Sequence, residues 1–68
     1  MRKTTIRIMG DKEISQEIAS KIIRILEEHG YDFTAPREFP MYKNKKQRTK
    51  DNIDPTKTRL YLTVYAEE

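Results

Sequence analysis

The sequence is poor in the residues that usually reinforce a small fold. Its 68 residues include no cysteine, no tryptophan, two glycines, three prolines and one histidine. Without cysteine there is no disulfide and no thiolate metal site, and a single histidine excludes a histidine-rich metal site within one chain. A domain of this size buries only about 60% of its unfolded surface, so self-association stays open as a means of stabilisation.

Long apolar runs are also missing. No segment approaches the roughly eighteen apolar residues that a membrane span needs. The opening MRKTTIRIMG is basic, but its apolar run is short and is interrupted by Arg7, which is not typical of a signal peptide. The sequence therefore predicts a cytoplasmic protein with no membrane association.

Charge is present and unevenly distributed. The formal net charge is +3, yet residues 1–34 are balanced, whereas residues 35–60 hold eight basic and three acidic groups. The last eight residues carry two acidic groups and no basic one. A local excess of positive charge says more about partners than the overall charge does.

Periodicity predicts one helix and three strands. Apolar and polar residues alternate over residues 4–9, 31–39 and 58–66, as expected for half-buried strands. Residues 12–29 follow the helical period instead, with Asp11 as the N-cap and Gly30 just beyond the C-terminus. The expected apolar face of the helix comprises Ile14, Ile18, Ile22, Ile25 and Leu26, with Ser15 and Ala19 at its border.

We expect a single α+β domain over residues 1–68, with the βαββ layout in two layers. One amphipathic helix would cover one face of a three-stranded antiparallel sheet in the order 1-3-2, with a right-handed crossover between strands 1 and 2. The last strand is central because it is the most apolar, and Pro36 and Pro40 put the second strand at an edge. The expected core is the helix face with Ile6, Ile8, Phe33 or its neighbours, Leu60, Leu62 and Val64.

The segments TTIRIMGDKE, YDFTAPREFPMYKNK and TRLYLTVYAEE, with one amphipathic helix between the first two, resemble a family of small uncharacterised prokaryotic proteins. That family is grouped as a domain of unknown function with a β-α-β-β layout. The resemblance covers most of the chain and implies a fold and a prokaryotic origin. It implies no reaction and no ligand.

The stretch MYKNKKQRTKDN lies in the predicted connection between strands 2 and 3, at about residues 40–57. Its five basic side chains are Lys43, Lys45, Lys46, Arg48 and Lys50. Phosphate backbones are the commonest partner of such a cluster, because each contact releases condensed counterions. The alternatives are a solvated loop that keeps the protein soluble and a dock for an acidic protein. We also expect residues 42–51 to be mobile, since they contain no apolar anchor.

A second candidate surface is the sheet face that the helix leaves uncovered. Arg59, Tyr61 and Tyr65 should lie there, together with Arg7, and aromatic rings beside arginines can stack unpaired bases. Ordinary cross-strand pairing and a homodimer interface explain the same residues. The sequence leaves all three interpretations open.

Signals of catalysis are weak. His29 has no nucleophile or orienting acid that the sequence places beside it, so a structural role at the helix C-terminus is the simpler interpretation. Asp51 and Asp54 lack the acidic density of a calcium loop, and turn formation explains Asp54-Pro55. We expect no enzyme and no cofactor. The sequence instead predicts either weak, sequence-tolerant nucleic-acid binding or a homodimeric interaction module.

Overall fold

The computed structural model describes residues 1–67 and places one α-helix against an antiparallel sheet. The elements in chain order are β1 (Arg2–Asp11), α1 (Lys12–Glu28), β2 (Asp32–Phe33), β3 (Arg37–Tyr42) and β4 (Ile53–Ala66), with a 3-10 turn at Lys50–Asn52. This confirms the predicted α+β class. Within residues 1–67, no helix is long and apolar enough to cross a membrane.

The sheet is built on β4, which pairs antiparallel with each of the other strands. β1 pairs with it from Arg2↔Ala66 to Asp11↔Lys57, without interruption. The prediction of three strands in the order 1-3-2 is wrong. The sheet has four strands in the order β1-β4-β2, and β3 also pairs with β4.

The predicted second strand is divided by residues 34–36, which include Pro36. Proline has no N–H to donate to a ladder, so the pairing is interrupted there. Phe33 lies opposite Val64, but Arg37 lies opposite Tyr61, so one extra residue is accommodated between the two pairs. Because side chains alternate between faces, this extra residue puts Phe33 on the helix side and Phe39 on the opposite side.

The helix begins at Lys12 as the sequence predicts and ends one residue earlier than expected, at Glu28. The carboxylate of Asp11 accepts a hydrogen bond from the N–H of Ile14 at 3.0 Å, which satisfies one of the free donors of the first turn. At the other end Gly30 has a φ of 74°, and its N–H donates to Glu27 O. The N–H of Tyr31 donates to Leu26 O, which completes a Schellman motif.

The core is smaller than predicted on the helix side. Leu60, Leu62, Val64 and Ala19 are its buried apolar residues, and Ser15 and Thr58 are buried with them. Ile6 and Ile8 are half-buried.

The helix therefore does not present the expected face to the sheet. Ser15 and Ala19, placed at the border, are buried, whereas Ile14, Ile18 and Ile25 are exposed. Ile22, Ile23 and Leu26 are half-buried. The apolar arc spans about half of the helix surface, and a narrow sheet covers only part of such an arc.

The connection between β3 and β4 is shorter than the loop predicted over about residues 40–57. β3 extends to Tyr42, β4 starts at Ile53, and Tyr42 pairs with Ile53 after a bulge. We refer to the remaining connection, residues 43–52, as the basic loop. Its mobility stays a prediction.

Candidate nucleic-acid interface

One face of the sheet packs on α1 and the other is open. Since side chains alternate along a strand, the neighbours of the buried residues of β4 point to the open side. We define the open face by the residues that share this side in register: Lys3, Thr5, Arg7, Met9, Asp32, Arg37, Phe39, Arg59, Tyr61, Thr63 and Tyr65. This set contains four basic side chains and one acidic one, so the open face is positively charged.

The middle of the open face combines aromatic rings with guanidinium groups. Tyr61 lies opposite Arg7 on one side and Arg37 on the other. Its ring meets the ring of Phe39 edge to face, with centroids 5.4 Å apart and an interplanar angle of 78°. The guanidinium carbon of Arg37 lies 5.5 Å from the Phe39 ring centroid, within the range of a cation–π contact. These contacts hold flat apolar and cationic groups side by side.

Arg59 lies next to this group, opposite Phe39 on one strand and Met9 on the other. It is half-buried, and among residues 1–67 its Nε is the one buried side-chain nitrogen or oxygen with no hydrogen-bond partner. A buried N–H without an acceptor costs free energy, so Arg59 is held in this position by its packing and not by a hydrogen bond from Nε.

Two shallow grooves meet at Arg59. The first, of about 150 Å³, is lined by Arg59 and Met9 of the sheet, Met41 of β3, and Lys45 and Arg48 of the basic loop. The second, of about 410 Å³, runs over Arg37, Phe39, Arg59 and Tyr61. Because both grooves contain Arg59, the basic loop and the aromatic centre form one continuous surface.

Two asparagines hold the basic loop together. The side-chain amide of Asn52 donates to Asn44 O at 2.9 Å and also to Gln47 O. The side chain of Asn44 accepts from the N–H of Lys46 at 3.0 Å, and the N–H of Lys43 donates to Asn52 O at 2.7 Å. These polar contacts are anchors that an apolar pattern in the sequence does not reveal.

The structure brings together some of the site residues predicted from the sequence and not others. Lys45, Arg48, Arg59 and Tyr61 line the joined grooves. Tyr65 lies at the far end of the open face, opposite Asp32. The remaining three lysines are exposed on the basic loop and line neither groove: Lys43, Lys46 and Lys50.

Sequence reasoning missed Arg37, Phe39 and Met41 as members of this surface. The reason is the extra residue within residues 34–36, because a continuous strand would have put Phe39 on the same face as Phe33. Pro36 was the available signal, since a proline inside a strand pattern marks an edge or an irregularity.

The other polar candidates take ordinary structural positions. His29 is exposed at the C-cap of α1. Asp54 lies in β4 and not in the turn expected at Asp54-Pro55, and it accepts from the N–H of Thr56 at 2.9 Å and from its hydroxyl at 2.6 Å. These bonds, the hydroxyl bond first, lower the pKa of the Asp54 carboxyl. Within residues 1–67 no group of three or more histidine, aspartate or glutamate side chains gathers as a metal site.

Comparison with known proteins gives no relative. No family model matches the chain, and neither curated proteins nor solved structures give a significant match. The resemblance to the βαββ family therefore stays a prediction.

Proposed function

We propose that this protein binds single-stranded nucleic acid with little sequence preference, using the open face and the basic loop together. The observation that carries the proposal is the continuity of the two grooves through Arg59. One groove offers lysine and arginine side chains, and the other offers aromatic rings beside arginines. Single-strand binding proteins combine the same two elements, a cationic track for the backbone and aromatic platforms for the bases.

The two grooves would contact different parts of the nucleic acid, one the phosphates and the other the bases. Lys45 and Arg48 stand on an exposed loop and would contact phosphates, where each contact releases condensed counterions. Tyr61 and Phe39 are half-buried rings that would stack on bases. Arg59 would bridge the two, since it lines both grooves.

The geometry favours single-stranded nucleic acid over duplexes. It also favours binding that tolerates many base sequences over binding that is specific for one. A duplex hides the faces of its bases, so rings on a sheet contribute only when bases are unpaired. Stacking is sequence-tolerant because every base has a π-face. Arg37 is already engaged with the Phe39 ring, so its guanidinium is not a free fork for bidentate contact with a base edge.

We propose no catalytic activity. The grooves are shallow and open, and no acid–base pair converges on either of them among residues 1–67. The cytoplasmic location and prokaryotic origin expected from the sequence would give such a protein access to both RNA and single-stranded DNA.

The first test is a titration of fluorescently labelled oligothymidine, about sixteen nucleotides long, at several salt concentrations. We expect micromolar affinity at low salt and a log–log salt slope near −3, as for about four phosphate contacts on a single strand. A duplex of equal length should bind more weakly, because stacking is lost. Absence of binding at low salt would overturn the proposal.

Two variants separate the roles of the grooves. Changing Lys45 and Arg48 to Ala should flatten the salt slope by about 1.4, because two phosphate contacts are lost. Its matched control changes Lys21 and Arg24 to Ala, which removes the same charges from exposed positions on α1. If the variant and the control flatten the salt slope equally, the protein attracts the oligonucleotide by its net charge alone.

The second variant, Tyr61→Leu, keeps an apolar side chain but removes the ring. Affinity for oligothymidine should fall by roughly five-fold or more with an unchanged salt slope, since a base–aromatic stack contributes about 1–3 kcal/mol. An unchanged affinity would exclude Tyr61 as a stacking platform.

A further inference from the structure

The apolar arc of α1 has a flank that no part of residues 1–67 covers. Ile14, Ile18 and Ile25 lie along it with 57%, 43% and 54% of their surface exposed. We call them the isoleucine flank. Gln16, on the other side of the buried stripe, donates its side-chain amide to Glu38 of β3 at 3.4 Å. The isoleucine flank therefore lies on the β1 side of the helix.

The outer edge of β1 lies below this flank. β1 pairs only with β4 among the described strands, and its ten residues run without proline or bulge. The side chains on its helix side are Arg2 at the start of the strand, followed by the uncharged Thr4, Ile6 and Ile8. Edge strands that avoid pairing are usually short, bulged, proline-bearing or inwardly charged, and beyond Arg2 at its start β1 has none of these features. The opposite edge differs, since it is broken at residues 34–36 and contains Pro40.

We propose that β1 and the isoleucine flank bind a second copy of this chain. Antiparallel pairing of two β1 strands about a two-fold axis would join the two sheets into one and put both helices on the same side. The two isoleucine flanks would then face each other across the axis. A second copy is the partner that presents a strand edge and an apolar flank in the same relative positions, because an interface of this symmetry uses one patch twice.

Charge selects one register for this pairing. Both helices lie on one side only if residues of equal parity face each other, so the axis passes through a residue. An axis at Ile6 or Arg7 pairs the greatest length of β1, and an axis at Thr5 or Ile8 pairs less of it. An axis at Thr5 would place Arg7 opposite Lys3 of the second copy, and an axis at Arg7 would place the two Arg7 side chains together. Like charges directly opposite each other destabilise a pair of strands. An axis at Ile6 avoids both conflicts, because Arg7 then faces Thr5.

The size of the surface fits a small dimer. Three half-exposed isoleucines leave on the order of 300 Å² of apolar surface per copy, which is in the range of functional patches. A ten-residue strand about 34 Å long adds its backbone and flanking side chains. Together these approach the roughly 800 Å² that a standard interface buries on each partner. The inference does not rest on nucleic-acid binding, since it is argued from the backbone edge of β1, the isoleucine flank and the charges along β1.

The oligomeric state tests the proposal directly. Sedimentation velocity at about 100 μM should give twice the chain mass of 8.2 kDa. The Ile18→Lys/Ile25→Lys variant should sediment as a monomer. The Ser20→Lys control adds a lysine on the opposite side of the same helix and should remain dimeric.

A monomeric wild-type protein, or a dimer that the double lysine variant leaves intact, would overturn the proposal. Retention of the wild-type circular dichroism spectrum would show that the lysine variant is folded.

Disulfide crosslinking tests the register of the β1 pairing. The wild-type chain has no cysteine, so any crosslink comes from the cysteines that are introduced. Thr5→Cys and Arg7→Cys proteins are prepared separately and oxidised alone or as an equal mixture. Opposed positions bring Cβ atoms close enough for a disulfide, whereas diagonal positions do not. We expect a disulfide-linked heterodimer in the mixture and no crosslink in either protein alone. Crosslinking of one variant alone, or no crosslink in the mixture, would contradict the axis at Ile6.

Discussion

Arg59 shows how one residue connects two parts of the molecule. Its neighbours in the sheet are Phe39 and Met9, and it also lines the groove that the basic loop forms with β3. The sequence places Arg59 on the uncovered face by simple alternation. Its position between the loop lysines and the aromatic rings depends on residues far away in the chain.

Asp54 and Thr56 give a prediction at the same scale. The Thr56→Val variant removes the hydroxyl donor but keeps the branched shape, so the pKa of Asp54 should rise toward its usual range. Carbon-detected NMR titration of the Asp54 carboxyl in both proteins measures this. Identical titration curves in the two proteins would show that the Thr56 hydroxyl does not lower the pKa of Asp54.

The effect on stability has a definite sign. The pKa of Asp54 is lowered in the folded state, so its hydrogen bonds stabilise the fold above the pKa of the unfolded chain. That contribution is lost as the pH falls through the folded-state pKa. The Thr56→Val variant should therefore be less stable than the wild type near neutral pH, and the difference should disappear in acid.

At the scale of the elements, the basic loop is stabilised by hydrogen bonds from side-chain amides. Asn52 contacts two backbone carbonyls across the loop, those of Asn44 and Gln47. In Asn52→Ala these contacts are absent and the positive charge is unchanged. The loop would then have to be ordered on binding, which costs about 0.5–1.5 kcal/mol for each group immobilised.

We therefore expect Asn52→Ala to weaken oligothymidine binding by roughly two- to ten-fold without changing the salt slope. Nitrogen-15 relaxation should show larger motions for residues 43–50 than in the wild type. Gln47→Ala is the matched control, because Gln47 uses its backbone groups in the loop contacts shown. A wild-type affinity in Asn52→Ala would mean that loop order does not contribute to binding.

At the scale of the whole molecule, stability rests on few residues. Leu62 is 2% exposed, and only Leu60, Val64 and Ala19 accompany it as buried apolar residues within residues 1–67. A chain of this length has an unfolding free energy of about 3–10 kcal/mol. A small core and an uncovered apolar flank together make a second copy a physically reasonable source of further stability.

Leu62→Ala should lower the unfolding free energy by about 2–5 kcal/mol, a large share of the total, because it leaves a cavity in the small core. Urea denaturation followed by circular dichroism, at a fixed protein concentration, measures this loss. The Met9→Ala control shortens a side chain that is 50% exposed and should shift the unfolding free energy by about 0.5 kcal/mol or less. Equal losses in the two variants would show that the buried centre of β4 does not dominate stability.

The candidate site was only partly predictable from the sequence. Lys45, Arg48, Arg59 and Tyr61 were recognisable from charge density and alternation. Phe39 was not, because one extra residue within residues 34–36 reverses the face on which it lies. Lys43, Lys46 and Lys50 belong to the same cluster in sequence, but they are exposed and line neither groove.

The sequence by itself determined the local features of this protein. The cap by Asp11, the positive φ of Gly30 and the alternation of β4 depend on residues within a few positions of each other, and these interactions form wherever the segment lies. Only the tertiary structure decided which flank of the helix is covered, how the second strand divides and which basic residues meet the aromatic rings. Those outcomes depend on distant segments competing for the two sides of β4, and a small shift in pairing moves a side chain from one face of the sheet to the other.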